Sequence, residues 1–239
     1  QARIVRVQTM NPETITLRVR THGVVQPRSE LQVIAEVSGR ITDLADCMVS
    51  GGFFDAKQVL IQLDKADYQA AVKLAEVEVA RAKRQIALEM AEGETARAEW
   101  ALEHPDEPAP ALVARTPQIA EADAALAAAE ATKTKAELDR ERTTIRAPFE
   151  GRVRSESVDK GQFVTRGQVL ATIYAIDFAE VRLPIADEDL QFADLPLDLD
   201  SADGSKGPHV KFSAQFAGQQ AEWSGDIVRT EGEIDPRTR

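Results

Sequence analysis

Cys47 is the chain's single cysteine, so no internal disulfide and no multi-cysteine zinc or iron–sulfur site can be built from it. It stands beside Met48 in an apolar run, with nothing local to lower its pKa, and reads as a small packing residue rather than a nucleophile. His22, His104 and His209 fall in three different segments without the paired spacing of a zinc site, and Met10, Met48 and Met90 are too dispersed for a soft-ion cluster. With 40 Asp and Glu residues, some pair lies close by chance, so proximity alone argues for no acid–base dyad. Catalytic, metal-binding and cofactor-binding residues are all read as none. Forty acidic residues against 29 basic ones leave a net charge of −11, which repels phosphate backbones and anionic headgroups. Nucleic acid is excluded as a partner on that ground.

The 239 residues leave room for one large domain or two small ones. Hydrophobic residues make up 43% but aromatics only 5%, which makes the core aliphatic and rules out large aromatic cradles. No run approaches the ~18 uncharged apolar residues of a membrane span. Residues 4–9 and 14–20 alternate apolar and polar positions, as half-buried strands do. From Val33 to Leu63, short apolar runs are punctuated by Ser38-Gly39 and Ser50-Gly51-Gly52, predicting several short strands and tight turns. The ends read as cut from something larger, with Ile4 to Val7 opening in mid-strand and Gly232 to Pro236 closing on a turn.

After Asp64, an N-cap residue followed by Asp67 in the first turn, the chain runs to Glu103 without a proline and with Gly93 as its only glycine. This predicts one very long helix. Steps of four and three pick out Tyr68, Val72, Ala75, Val79, Ala82, Ile86, Glu89, Gly93, Ala96 and Trp100, an apolar seam broken only at Glu89 and Gly93. Pro105, Pro108 and Pro110 stop the helix. Thr116 as N-cap and Pro117 in the first turn restart it, with a second seam at Ile119, Ala122, Leu126, Ala129, Lys133, Ala136 and Arg140. Two such helices fold back as an antiparallel coiled-coil hairpin. At ~1.5 Å per residue the longer arm extends ~60 Å, so it must project from any compact domain.

The segment after the hairpin repeats the segment before it. Ala35 to Ile41 matches Ala147 to Val153, and Gly51 to Leu60 matches Gly161 to Leu170 through G-x-x-apolar-x-x-x-Q-V-L. Each copy is too short to bury a core alone, so the two pack together with the hairpin inserted between them. Further strands are predicted at Ala179–Leu183, Val210–Phe216 and Ile227–Thr230, with a short helix over Asp187–Phe192.

Val37-Ser-Gly-Arg-Ile41, Leu63 to Tyr68 opening the helix, Thr144 to Val153 with its I-R-A-P-F-E-G-R-V run, and Gly161-x-x-Val164-x-x-Gly167-Gln-Val-Leu170 together span most of the chain. This layout resembles the periplasmic adaptor subunits, or membrane fusion proteins, of tripartite efflux pumps, most closely those of the resistance-nodulation-division (RND) type. The resemblance implies an elongated α+β fold. Residues 33–64 and 145–173 would form a lipoyl-like β-sandwich of two half-motifs with turn glycines Gly39, Gly51, Gly151, Gly161 and Gly167. Residues 65–144 would be the hairpin. Residues 1–32 would supply the N-terminal strands of a β-barrel or membrane-proximal part, and 174–239 an incomplete β-barrel domain.

The partners so implied are an inner-membrane transporter of RND type, an outer-membrane channel and further copies in a ring, with the chain in the periplasm and anchored by a segment outside it. No enzymatic activity is implied. The hairpin tip would carry the channel contacts on Arg97, Trp100, Leu102, Leu112 and Val113. Arg97 and Leu102 match part of an Arg-Leu-Ser triplet of the family, but Val113 stands where the serine belongs, and the three prolines form an insertion. Lys57 stands where the second half-motif has Gly167, which predicts a differently shaped first turn. Joints are expected near Gln32–Ile34, Leu63–Lys65 and Ile173–Ala175. The rival readings are an adaptor of an ATP-driven secretion or capsule-export system and a lipoyl or biotinyl carrier. The carrier needs a lysine on an exposed turn joining the halves, where this chain has the hairpin, and Lys65 beside it reads as a solvated helix-start charge.

Overall fold

The computed structural model describes residues 17–193, 195 and 207–231. In chain order these form β1 (Val24–Pro27), β2 (Glu30–Ile34), β3 (Gly39–Leu44), β4 (Phe53–Phe54), β5 (Val59–Leu63), α1 (Ala66–Glu103) and α2 (Thr116–Glu141). Next come β6 (Thr144–Arg146), β7 (Gly151–Glu156), β8 (Phe163–Val164), β9 (Val169–Ala175), β10 (Ala179–Arg182), α3 (Asp187–Leu190), β11 (His209–Phe216) and β12 (Gln219–Asp226). Two compact units emerge, one of residues 27–180 and one drawing on residues before 27 and after 180.

In the first unit neither sequence repeat forms a sheet alone. One four-stranded sheet has the order β2-β9-β7-β4 and the other β6-β5-β3-β8, so each contains strands of both repeats. The exchange is reciprocal. Phe53 and Phe54 of β4 pair with Arg152 and Gly151, while Phe163 and Val164 of β8 pair with Arg40 and Gly39. At one crossing Gly51 N–H donates to the Val153 carbonyl and Val153 N–H to that of Gly52; at the other Gly161 N–H donates to Ile41 and Ile41 N–H to Gln162, all at 2.8–2.9 Å. Alternation along the strands turns Ile41, Leu60, Ile61, Leu63, Val153, Val164, Leu170 and Ile173 into a shared, fully buried core. At roughly 1.5–3 kcal/mol per buried aliphatic side chain, that core is available only when both halves are present.

The matching turns are built alike. In the first, Asp55 N–H donates to the Gln58 side-chain carbonyl at 2.8 Å and Lys57 N–H to the Ala147 carbonyl at 2.8 Å; in the second, Thr165 N–H donates to Gln168 at 3.1 Å and Gly167 N–H to Ala35 at 2.7 Å. Lys57 has φ 66° and Gly167 φ 86°, so the expectation of a differently shaped first turn is corrected: lysine takes the left-handed conformation that glycine takes in the other half. A non-glycine residue there costs about 1 kcal/mol, held in place by the turn's docked bonds. Replacement Lys57→Gly is expected to leave the fold unchanged and raise the denaturation midpoint slightly, by up to about 1 kcal/mol, in chemical unfolding. Gly51 and Gly161 are left-handed turn residues as well, but Gly39 and Gly151 open strands β3 and β7 without positive φ. These two are therefore not turn glycines; Gly151 is small because a carbonyl crowds it.

Strand ends also move the expected boundaries. β2 starts at Glu30, pairing with Tyr174, and β9 runs to Ala175, so residues 30–32 and 174–175 belong to the sandwich. The expected joints fall on paired, buried strands rather than on loose connections, since Val33, Leu63 and Ile173 are all in the core. At the hairpin root, Thr143 is fully buried and its hydroxyl donates to the Arg140 carbonyl at 2.7 Å. The Gln62 amide donates to the Leu63 and Thr143 carbonyls at 2.9 and 3.0 Å and accepts from the Thr144 hydroxyl at 2.9 Å. Tyr68 donates to the Ser38 carbonyl at 2.7 Å, and Arg142 bridges Glu36 at 2.8 Å and Asp139 at 3.1 Å. These satisfied bonds, gathered around the buried Thr143, clamp the helices to the sheets.

In the second unit β11 and β12 form an antiparallel hairpin in full register from His209↔Asp226 to Phe216↔Gln219. Its two-residue turn, Ala217-Gly218, has positive φ at both positions, the geometry that matches strand twist. The strand expected at Ile227–Thr230 lies instead at 219–226. Residues 17–20 form no strand, and the rest of the expected N-terminal strands lies outside the described residues. β1 pairs with β10.

Candidate docking site at the hairpin tip

The seam spacing of α1 decides which residues the hairpin buries. All ten seam positions from Tyr68 to Trp100 are buried or half-buried, and on α2 so are Ile119, Ala122, Leu126, Ala129, Lys133 and Ala136. Arg140 is exposed, so the seam has drifted off that position by the last turn of α2. Asp64 is not the cap of α1: Lys65 is, without a side-chain capping bond, and Asp64, one residue earlier, accepts from Ala66 N–H at 3.0 Å. Thr116, by contrast, is not the cap of α2: Arg115 is, in the left-handed conformation with φ 54° and without a side-chain capping bond.

The two interruptions of the seam are the places where the tip turn docks. A Cβ on Gly93 would lie 2.9 Å from the Ala114 carbonyl oxygen and 3.3 Å from Ile119 Cδ1, so the turn's backbone occupies the space a side chain would take. The same carbonyl accepts from Arg97 at 3.3 Å. Glu89 receives the Arg115 guanidinium, whose Nε donates to it at 2.9 Å, and Arg115 also reaches Glu92 at 2.7 Å. The Glu89 carboxylate holds the guanidinium above its already high ordinary pKa. The turn closes on itself through Ala114 N–H to Pro110 and Thr116 N–H to Ala111, both 2.9 Å. Arg115 escaped the sequence reading, although a carboxylate at a seam position already called for a cation from the other arm.

Of the expected tip residues, Leu102 and Leu112 are 84% and 73% exposed. Val113 is half-buried, and Trp100 stacks on His104 at 4.0 Å between ring centroids, with an interplanar angle of 13°. Arg97 is turned to the Ala114 carbonyl rather than left free. Trp100 Nε1, His104 Nδ1 and Gln118 Oε1 are buried without a hydrogen-bond partner, an unusual concentration of unsatisfied polar atoms for one end of a hairpin. In the sandwich, Cys47 is half-buried, accepts weakly from Gln58 Nε2 at 3.5 Å, and burial pushes its thiol pKa up, away from thiolate chemistry. Among the described residues no group of three or more His, Cys, Asp or Glu side chains could hold a metal, and no helix is long and apolar enough to cross a membrane.

An interleaved sandwich with a coiled-coil hairpin inserted between its halves defines a class of export adaptor. The family model of the RND MFP barrel-sandwich hybrid domain matches residues 29–176, and the chain belongs to this family of membrane fusion proteins. Members of the family are periplasmic adaptors of efflux pumps, not enzymes, and work with inner-membrane transporters and outer-membrane channels in oligomeric assemblies.

Three solved structures share the fold. The membrane fusion protein Spr0693 from Streptococcus pneumoniae R6 is 24% identical with a TM-score of 0.58, over 86% of this chain and 80% of that one. A MacA-MexA chimera containing the Pseudomonas aeruginosa MexA α-hairpin is 19% identical with a TM-score of 0.56, over 87% and 66%. MacA from Actinobacillus actinomycetemcomitans is 15% identical with a TM-score of 0.54, over 90% and 65%. The chain spans less than two thirds of the last two, and about half of a further match from Bacteroides eggerthii.

Proposed function

We propose that this chain bridges an inner-membrane transporter of RND type to an outer-membrane channel, with the hairpin tip as the channel contact and the hairpin flanks as contacts between copies in a ring. It works in the periplasm, held to the inner membrane by a segment outside this sequence. The segments flanking the sandwich, expected at 1–32 and 174–239, contribute to a β-barrel part next to the transporter. The observation that carries the reading is the pair Leu102 and Leu112, two large aliphatic side chains left in solvent at the end of a hairpin whose root is clamped and whose seam is closed. Leu74, Val77 and Leu88 lie outside the seam and are exposed as well, leaving flank surface for a neighbouring copy.

Because Trp100 is half-buried and stacked, the clean probes of docking are the two leucines. In cells carrying the complete pump, Leu102→Asp with Leu112→Asp is expected to abolish tolerance of the pump's substrates and to leave the circular dichroism and melting of the purified chain unchanged. Full tolerance with the double variant expressed at normal level would remove the tip from the mechanism.

A further inference from the structure

Charge is distributed unevenly along the hairpin. From Glu89 to Asp123 the sequence has nine carboxylates against two arginines, a net charge of −7 with His104 neutral, whereas the remaining helical residues down to the root carry seven carboxylates against seven Lys and Arg. Pairing sharpens the contrast. On the shaft, Glu76, Glu78, Glu130, Glu137 and Asp139 each have a Lys or Arg partner at 2.6–3.6 Å. Of the two tip arginines, Arg115 pairs with Glu89 and Glu92, while Arg97, itself exposed, donates to the Ala114 carbonyl. Glu94, Glu99, Glu103, Asp106, Glu107, Glu121 and Asp123 are all exposed, and among the described residues none has an ion-pair partner. They share residues 94–123 with Leu102 and Leu112, the exposed apolar pair.

An apolar contact flanked by like charge selects its partner by the sign of that charge: charges here set on-rate and reject wrong surfaces, while the aliphatic contact holds. We propose that the hairpin tip recognises a basic surface, and that its channel partner presents lysine or arginine side chains around an apolar seat for Leu102 and Leu112. The inference rests on the tip being the channel contact and deepens it by fixing the partner's chemistry. The acidic rim also opposes tip-to-tip association of copies, which leaves the tips free for the channel.

The experiment uses surface plasmon resonance, with the chain passed over each outer-membrane channel cloned from the source genome and immobilised in detergent. Three forms are compared: unchanged, Leu112→Asp, and the triple variant Glu99→Lys, Glu103→Lys, Glu107→Lys. Sedimentation velocity accompanies each. At 50 mM NaCl the triple variant is expected to bind at least tenfold more weakly than the unchanged chain, and the unchanged chain to lose about tenfold by 500 mM NaCl. Loss with Leu112→Asp but equal, salt-insensitive binding by the triple variant overturns the charge inference and leaves docking standing. No channel bound by the unchanged chain, or no loss with Leu112→Asp, overturns docking and the inference with it. Self-association of the triple variant with undiminished channel binding assigns the rim to keeping copies apart and also overturns the inference.

Discussion

Gly151→Ala is expected to destabilise the sandwich by about 3 kcal/mol or more, whereas Gly39→Ala, at the equivalent position of the other repeat, should cost under about 1 kcal/mol. The two glycines open equivalent strands, β7 and β3, and face equivalent partners, Phe54 and Val164. Their surroundings differ. A Cβ on Gly151 would lie 2.2 Å from the Tyr174 carbonyl oxygen and 3.0 Å from Phe54 Cζ. That carbonyl belongs to β9, which is bonded to β7 on one side and to β2 on the other, so it cannot withdraw without breaking a ladder. On Gly39 the added carbon would meet nothing nearer than Leu63 Cβ at 3.5 Å, an ordinary contact. Urea denaturation of both variants, followed by far-ultraviolet circular dichroism, measures the difference, and each protein is the other's control. Equal midpoints would show that the two halves relax alike and that the crowding at Gly151 is not structural.

That asymmetry marks where sequence reading stops. The repeat was legible because G-x-x-apolar-x-x-x-Q-V-L recurs, and each glutamine of the pattern makes the same turn bond, Gln58 to Asp55 N–H and Gln168 to Thr165 N–H. The seam was legible because helical spacing fixes which side chains can meet. Strand exchange between the repeats was not. It depends on long-range pairing such as Gly39↔Val164, which no local pattern encodes. Nor was the clamp at the root legible, since Gln62 and Thr143 are 81 residues apart and look like ordinary polar positions. Lys57 misled for a physical reason: glycine is the cheapest residue at positive φ, yet the docked bonds of Lys57 N–H and Gln58 outweigh a penalty of about 1 kcal/mol.

At the other end of the hairpin, Gly93→Val is expected to abolish export while sparing the sandwich. Valine would drive branched carbons into the Ala114 carbonyl, already 2.9 Å from where Cβ must sit, and into Ile119. The helix cannot yield there, because α1 continues unbroken from Ala66 to Glu103, so the turn must lift. Lifting it separates Ala114 from Arg97 and Arg115 from Glu89, leaving a largely buried carboxylate without its cation at a cost of about 1–3 kcal/mol. The loss is local, since the shaft's seam and the root clamp contain none of these groups. Hydrogen exchange should therefore accelerate over residues 89–119 and remain as in the parent over the sandwich strands. Leu112, displaced with the turn, would no longer hold its place at the tip, and substrate tolerance in cells should fall as far as with the two aspartate substitutions. Unaltered exchange at the tip would mean that α1 and the turn accommodate valine after all, and that Gly93 does not latch the turn.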